Sequence, residues 1–175
     1  SSMKIKSLVS LGTAALLSMS VATTAVAEDK VLLKLPVWFG THLTGLGSSP
    51  LFFADTVNKA SGGSVKVRIY EPGKLVATKE MLESVSNGSV NSGWGTPGYN
   101  TGLLGKKAAI FSAVPFGPEA PEFMAWVYYG GGRELWQKLY DDAGYNVHAV
   151  PCSIIAPETS GWFTKEINSV ADLDG

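Results

Sequence analysis

Two hydrophobic periods alternate along residues 31–96, and this alternation constrains the fold more than any other feature of the chain. Residues 31–38 (Val-Leu-Leu-Lys-Leu-Pro-Val-Trp) are mostly apolar and β-prone, which predicts a strand buried on both faces, with Pro36 near its end because proline cannot donate to a ladder. A Gly/Thr/Ser loop follows. Ser49-Pro50 then reads as an N-cap and first helical residue, with Leu51, Phe52, Ala54 and Val57 on the inward face and Gly62-Gly63 as the stop. Residues 64–70 alternate, which turns Val65, Val67 and Ile69 inward. After the Glu71-Pro72-Gly73 turn, residues 78–87 predict a helix with Met81, Leu82 and Val85 inward, and residues 89–96 a third strand. Strand-helix-strand-helix-strand implies an α/β fold with a mainly parallel sheet covered by helices.

The remainder is more helical. Residues 121–142 carry a stripe of Phe123, Trp126, Val127, Leu135 and Leu139. Gly130-Gly131-Gly132 interrupts it, at about 1 kcal/mol of helix preference per glycine, so two helices are expected, the second closed by Gly144. Residues 103–116 fit neither period. Residues 146–153 and 161–163 predict two further strands, and Ser169-Val170-Ala171-Asp172 a helix start.

Export is written at the N-terminus. Lys4 and Lys6 precede an apolar stretch over residues 8–21, and Ala25-Val26-Ala27 supplies small residues before Glu28. This is the pattern of a secretory signal peptide over residues 1–27, with Ser1-Ser2 set aside as extra residues ahead of Met3. A membrane span of about 20 apolar residues is the poorer reading. The mature chain is then expected to be soluble and periplasmic. Cys152 is the only cysteine, which excludes a disulfide-stapled scaffold and leaves a small buried thiol as the expectation. Lys and Arg (14) nearly balance Asp and Glu (15), so no basic stripe argues for nucleic acid. The chain ends on Asp174-Gly175, a turn signal, and is expected to be the front part of a longer protein.

Three segments carry a family likeness. They are Val114-Pro115-Phe116-Gly117-Pro118 with Glu122 and Trp126; Tyr128-Tyr129-Gly130-Gly131-Gly132 with Glu134-Leu135-Trp136; and Gly161-Trp162-Phe163 with Lys165-Glu166-Ile167 and Asp172-Leu173. In order and spacing they resemble the extracytoplasmic solute-binding proteins of TRAP transporters, of the DctP type, and most closely the subgroup for 2-oxo or 2-hydroxy carboxylates. The resemblance implies a periplasmic-binding-protein-like fold of type II, with two lobes closing on an organic acid. Residues 28–150 would form the first lobe, and residues 151–175 the crossover and the start of the second. It further implies a TRAP permease as membrane partner, uptake driven by an ion gradient, and no ATP site; no G-x-x-x-x-G-K-[ST] is present. A homodimer stays open.

Ligands of open α/β sheets sit at the carboxyl ends of strands. That places Trp38 and Phe39, Trp94, and Tyr99 near a cleft. From the residues alone Trp94 and Trp162 read better as core residues, although Gly161 would let Trp162 wall a ligand site, and Tyr99 reads nearly as well as a surface-loop residue; the resemblance adds that Tyr99 matches an aromatic reaching the ligand through its hydroxyl, and brings the wall reading of Trp162 level with the core one. Glu158 stands where the subgroup usually has Gln, a residue that helps to hold a metal ion and the acid. A carboxylate beside an anionic ligand is unfavourable unless a cation lies between them or the acid form is kept. A tighter Na⁺ or Ca²⁺ site at Glu158 and Trp162, a less acidic ligand, or a lost site all fit; the first is the expectation. No cofactor is otherwise implied. The alternative is a secreted α/β enzyme or a sensor domain of the same fold acting on a small organic acid. Against the enzyme, G-x-S-x-G and H-E-x-x-H are absent and no catalytic residue stands out.

Overall fold

The computed structural model describes residues 29–159 and 161–174, so the signal-peptide reading lies outside the described residues. Strand β1 (Val31–Pro36) and strand β2 (Val65–Tyr70) pair in parallel, with Val31 opposite Val65 and Pro36 opposite Tyr70. Helix α1 (Ser48–Ala60) makes the crossover between them. Leu35, Ala54 and Val67 close a small core there, joined by Phe53, Val57 and Ile69. Asn58 reaches from α1 to the β2 edge: its Oδ1 accepts from the Val67 amide at 2.7 Å.

Several expectations about this half are corrected. The helix begins two residues before Pro50, with Gly47 at its cap, because the Ser48 and Ser49 hydroxyls already engage the Gly45 peptide. Its inward face is Pro50, Phe53, Ala54 and Val57, while Leu51 and Phe52 point to solvent, Phe52 being 74% exposed. β1 is buried only from Leu35 onward, since Val31 and Leu32 lie at the open end of a two-stranded sheet. The third strand shrinks to one parallel bridge, Val37 with Trp94. The physical reason is Asn91: its side chain accepts from the Lys34 amide at 2.9 Å and donates to the Leu32 carbonyl at 2.7 Å. A side-chain amide thereby occupies the ladder positions a strand would have used.

A 3₁₀ turn (Thr78–Glu80) leads into helix α2 (Met81–Ser86), whose Met81 and Leu82 are buried as predicted. The irregular stretch resolves into helix α3 (Thr101–Leu104) and a 3₁₀ segment (Lys106–Phe111). Helices α4 (Ala120–Tyr129) and α5 (Gly132–Asp142) break at the glycines, with Gly131 at φ +85°. The main core gathers Leu82, Leu104, Ala108, Phe111 and Leu139, with Phe111 stacked on both Trp126 and Trp136 at 5.6 and 5.2 Å. Trp136 takes the inward place expected of Leu135, which is 49% exposed.

Residues 146–153 take no regular secondary structure and are not a strand, and neither are residues 161–163. Gln137 does for the first segment what Asn91 does for β1, donating to the Val147 carbonyl at 2.8 Å and accepting from the Ala149 amide at 2.9 Å. With no sheet layer around that segment, Cys152 is exposed rather than buried. The helix start read at residues 169–172 is a 3₁₀ turn (Val170–Leu173) closed by a Ser169–Asp172 capping box, where amide and hydroxyl bonds to the Asp172 carboxylate hold it below the usual range. No helix among the described residues is long and apolar enough to cross a membrane.

Candidate functional site

The carboxyl ends of β1 and β2 and the Trp94 segment meet at one rim. Val37 donates to the Tyr70 carbonyl, Trp38 to the Trp94 carbonyl, and Trp94 to the Pro36 carbonyl, each at 3.0 Å. The chain then leaves the sheet at Trp38 and Phe39. From the other side comes the 3₁₀ turn (Pro97–Asn100), which carries Tyr99. The Tyr99 ring lies 5.2 Å from Trp38 and 5.9 Å from Phe39, centroid to centroid, and stays 63% exposed. Such spacings are those of favourable aromatic pairs. Gly95 makes the approach feasible: a Cβ there would sit 3.0 Å from the Trp38 ring. Trp94 turns inward on Phe53 at 5.5 Å and borders the clefts described next.

Two clefts adjoin this rim. The smaller, about 270 Å³, is walled by Phe39, Thr96, Ser112, Trp126 and Ile155. The larger, about 490 Å³, runs between the Asn91–Thr96 side and residues 146–153, with Trp38 and Trp136 on its wall. Gly95, Thr96, Trp136 and Ser153 border both, so the clefts are neighbours.

Polar groups fix the rim from two directions. Glu71, immediately after β2, accepts bonds from the Thr41 hydroxyl and from the Thr41 amide, the latter at 3.2 Å. The hydroxyl bond, then the amide bond, and then the charge of nearby His42 hold the Glu71 carboxyl below the usual glutamate range. On the far side, the Thr96 and Ser112 hydroxyls share a hydrogen bond of 2.7 Å. Glu71 and Ser112 were not singled out in the sequence, for their partners lie 30 and 14–16 residues away and no local pattern marks them.

The structure thus brings Trp38, Trp94 and Tyr99 to one place. Glu158 and Trp162 stand apart: both are exposed, Trp162 to 95%, and no hydrogen bond or aromatic pair among the described residues engages either. Pro157, the neighbour of Glu158, borders the smaller cleft. Among the described residues no three of His, Cys, Asp and Glu converge to hold a metal ion. A cation would find the Glu158 carboxylate, and with it less than a coordination shell.

The profile of the bacterial extracellular solute-binding proteins, family 7 (DctP), matches residues 41–175. The chain belongs to this family. A curated family relative, a monocarboxylate 2-oxoacid-binding periplasmic protein of a Nostoc species, is 37% identical over 124 residues, which is 70% of this chain and 33% of the relative. A TRAP periplasmic solute-binding protein of Colwellia psychrerythraea, solved with calcium and pyruvate, superposes with a TM-score of 0.73 at 34% identity, over 84% of this chain and 44% of that one. The Pseudoalteromonas atlantica counterpart, solved with sodium and pyruvate, gives 0.68 and 31% over the same shares. A Bordetella bronchiseptica solute-binding protein, a dimer of mixed occupancy with calcium and picolinate, gives 0.70 and 27%, covering 84% of this chain and 43% of its own. The fold is therefore that of TRAP periplasmic binding proteins, and the chain spans less than half the length of these relatives.

Proposed function

We propose that the protein is a periplasmic receptor, not an enzyme, which captures a small 2-oxo or 2-hydroxy acid and hands it to a TRAP permease for uptake driven by an ion gradient. Residues 1–27 direct export, residues 28–150 form the first lobe, and residues 151–175 lead toward a second. The observation that carries this reading is the Trp38–Phe39–Tyr99 cluster at the carboxyl rim of a parallel sheet, where such folds bind ligands. Three relatives at 31–37% identity are described as binding 2-oxoacids or pyruvate, two of them solved with a metal ion as well. Tyr99 offers a hydroxyl to the acid, and Trp38 and Trp94 border the cleft. Glu158 and Trp162 come onto the ligand from the second lobe when the lobes close, a hinge motion. A Na⁺ or Ca²⁺ ion bridges the Glu158 carboxylate and the acid, which removes the like-charge penalty.

Titration calorimetry of pyruvate into the native gene product tests this. Binding is expected with Ca²⁺ or Na⁺ present and should weaken when the cation is withheld. Affinity that ignores the cation would remove the bridging ion. Turnover of an acid that gives no stabilisation would replace receptor by enzyme. Glu158→Gln should retain binding and reduce its dependence on Ca²⁺ concentration, since a neutral amide is the weaker partner for a divalent ion.

A further inference from the structure

The 3₁₀ turn Pro97–Asn100, which carries Tyr99, is tied to its cap by a bond from the Tyr99 amide to the Thr96 carbonyl at 3.3 Å, at the long end for such a bond. Half or more of the Tyr99 ring faces solvent, so its aromatic contacts are one-sided. Besides buried Pro97 and the run into α3, one hydroxyl distant in sequence ties the turn to the body of the protein. Ser112 Oγ accepts from the Gly98 amide at 2.9 Å and pairs with Thr96 Oγ1 at 2.7 Å. A serine hydroxyl has one donor and two acceptor sites, so it satisfies both partners at once. Thr96 is only 9% exposed, and its hydroxyl would otherwise lack a mate. Gly98 is required for the fit: a Cβ there would collide with the Ser112 hydroxyl and lie 2.7 Å from the Ser112 Cβ.

Ser112 itself stands on firm ground. It follows Phe111, which is stacked between Trp126 and Trp136 in the main core, and its own amide donates to the Ala109 carbonyl at 3.2 Å. A continuous line therefore runs from the aromatic stack of α4 and α5, through Ser112, to the turn that bears Tyr99.

We propose that Ser112 is a positioning residue of the ligand site, whose hydroxyl fixes the Tyr99 turn through Gly98 and Thr96 and so sets the affinity for the acid. This rests on the reading of Tyr99 as a ligand contact. Replacing Ser112 by Ala removes the hydroxyl from Gly98 and Thr96 while leaving the Phe111 stack in place. The turn then loses its anchor and samples other orientations.

The experiment uses the native gene product labelled with 3-fluorotyrosine, with the Tyr99 fluorine resonance assigned by Tyr99→Phe. In the ligand-free protein, Ser112→Ala should shift or broaden that resonance, and Ser112→Thr, which keeps the hydroxyl, should restore it. Calorimetry with pyruvate and Ca²⁺ should show about a tenfold loss of affinity for Ser112→Ala, the scale of one unsatisfied polar group, and recovery for Ser112→Thr. In a Tyr99→Phe background the same Ser112→Ala change should cost little further, because the hydroxyl it positions is already gone. Gly98→Ala is the second variant, used if Ser112→Ala does not fold; it should perturb the same resonance by pushing the turn away from Ser112. An unchanged Tyr99 resonance in the folded variant, or an equal affinity loss in both backgrounds, overturns the proposal. If the unmodified protein binds no acid, the receptor reading falls, and the fluorine resonance alone still decides whether Ser112 positions Tyr99.

Discussion

A surface carboxylate that accepts two bonds from one threonine is an electrostatic pin whose strength depends on its charge. Glu71 holds Thr41 in this way, just beyond the Trp38-Phe39 exit from the sheet. Its carboxyl lies below the ordinary glutamate range in the folded chain, while an unfolded glutamate titrates near about 4.3. The sign follows. The contribution is fully present above the unfolded value and is lost as pH falls through the folded one. We expect the Thr41 amide resonance to titrate with a midpoint below that of a free glutamate, and Glu71→Gln to abolish the titration; a midpoint at or above about 4.3 would contradict the pin. At this scale the sequence tells unequally. The place of Tyr99 at the rim was legible because it follows the expected third strand, and Asp172 because Ser169 stands three residues before it. Glu71 and Ser112 were not, since each acts on a residue brought near only by folding.

At the scale of elements, glycine marks the joints, and the backbone angle decides what each tolerates. Gly131, between α4 and α5, sits at φ +85°, a region that costs a residue with a side chain about 1–2 kcal/mol. Gly102, inside α3, has open space where a Cβ would go and an ordinary helical backbone. Urea denaturation should therefore give opposite signs: Gly131→Ala destabilises by about 1–2 kcal/mol, and Gly102→Ala stabilises by up to about 1 kcal/mol, less if that four-residue helix frays. Equal effects would mean the joint is set by packing, not by backbone handedness. The α4–α5 break was legible for the same reason, as three adjacent glycines outweigh an apolar stripe. The third strand and residues 146–153 were misread because Asn91 and Gln137 substitute side-chain amides for strand neighbours, and an Asn or Gln looks the same in a sequence whether it faces water or a ladder. On α1, Ala54 and Val57 face inward as read from the sequence, while Pro50 and Phe53 take the places given to Leu51 and Phe52.

At the scale of the molecule, the two strands and one bridge among the described residues need cover to be stable. An isolated two-stranded sheet is marginal in water, and independent stability takes at least a third strand or packing by helices. Here α1 covers one face near Leu35 and Val67, while Trp162, Tyr129, Phe116 and Phe52 present large rings to solvent. The relatives that share the fold are more than twice as long. On the proposed receptor reading, the acid meets the Tyr99 hydroxyl here and takes its other partners when the fold closes on it. The 175-residue chain made alone should accordingly enhance the fluorescence of a hydrophobic dye, unfold over a broad urea range and give no measurable pyruvate heat. The native gene product is the comparison, expected to exclude the dye and to bind pyruvate. Sharp two-state unfolding together with tight acid binding by the 175 residues alone would show that this lobe is a sufficient receptor and that its exposed rings await something other than a second lobe.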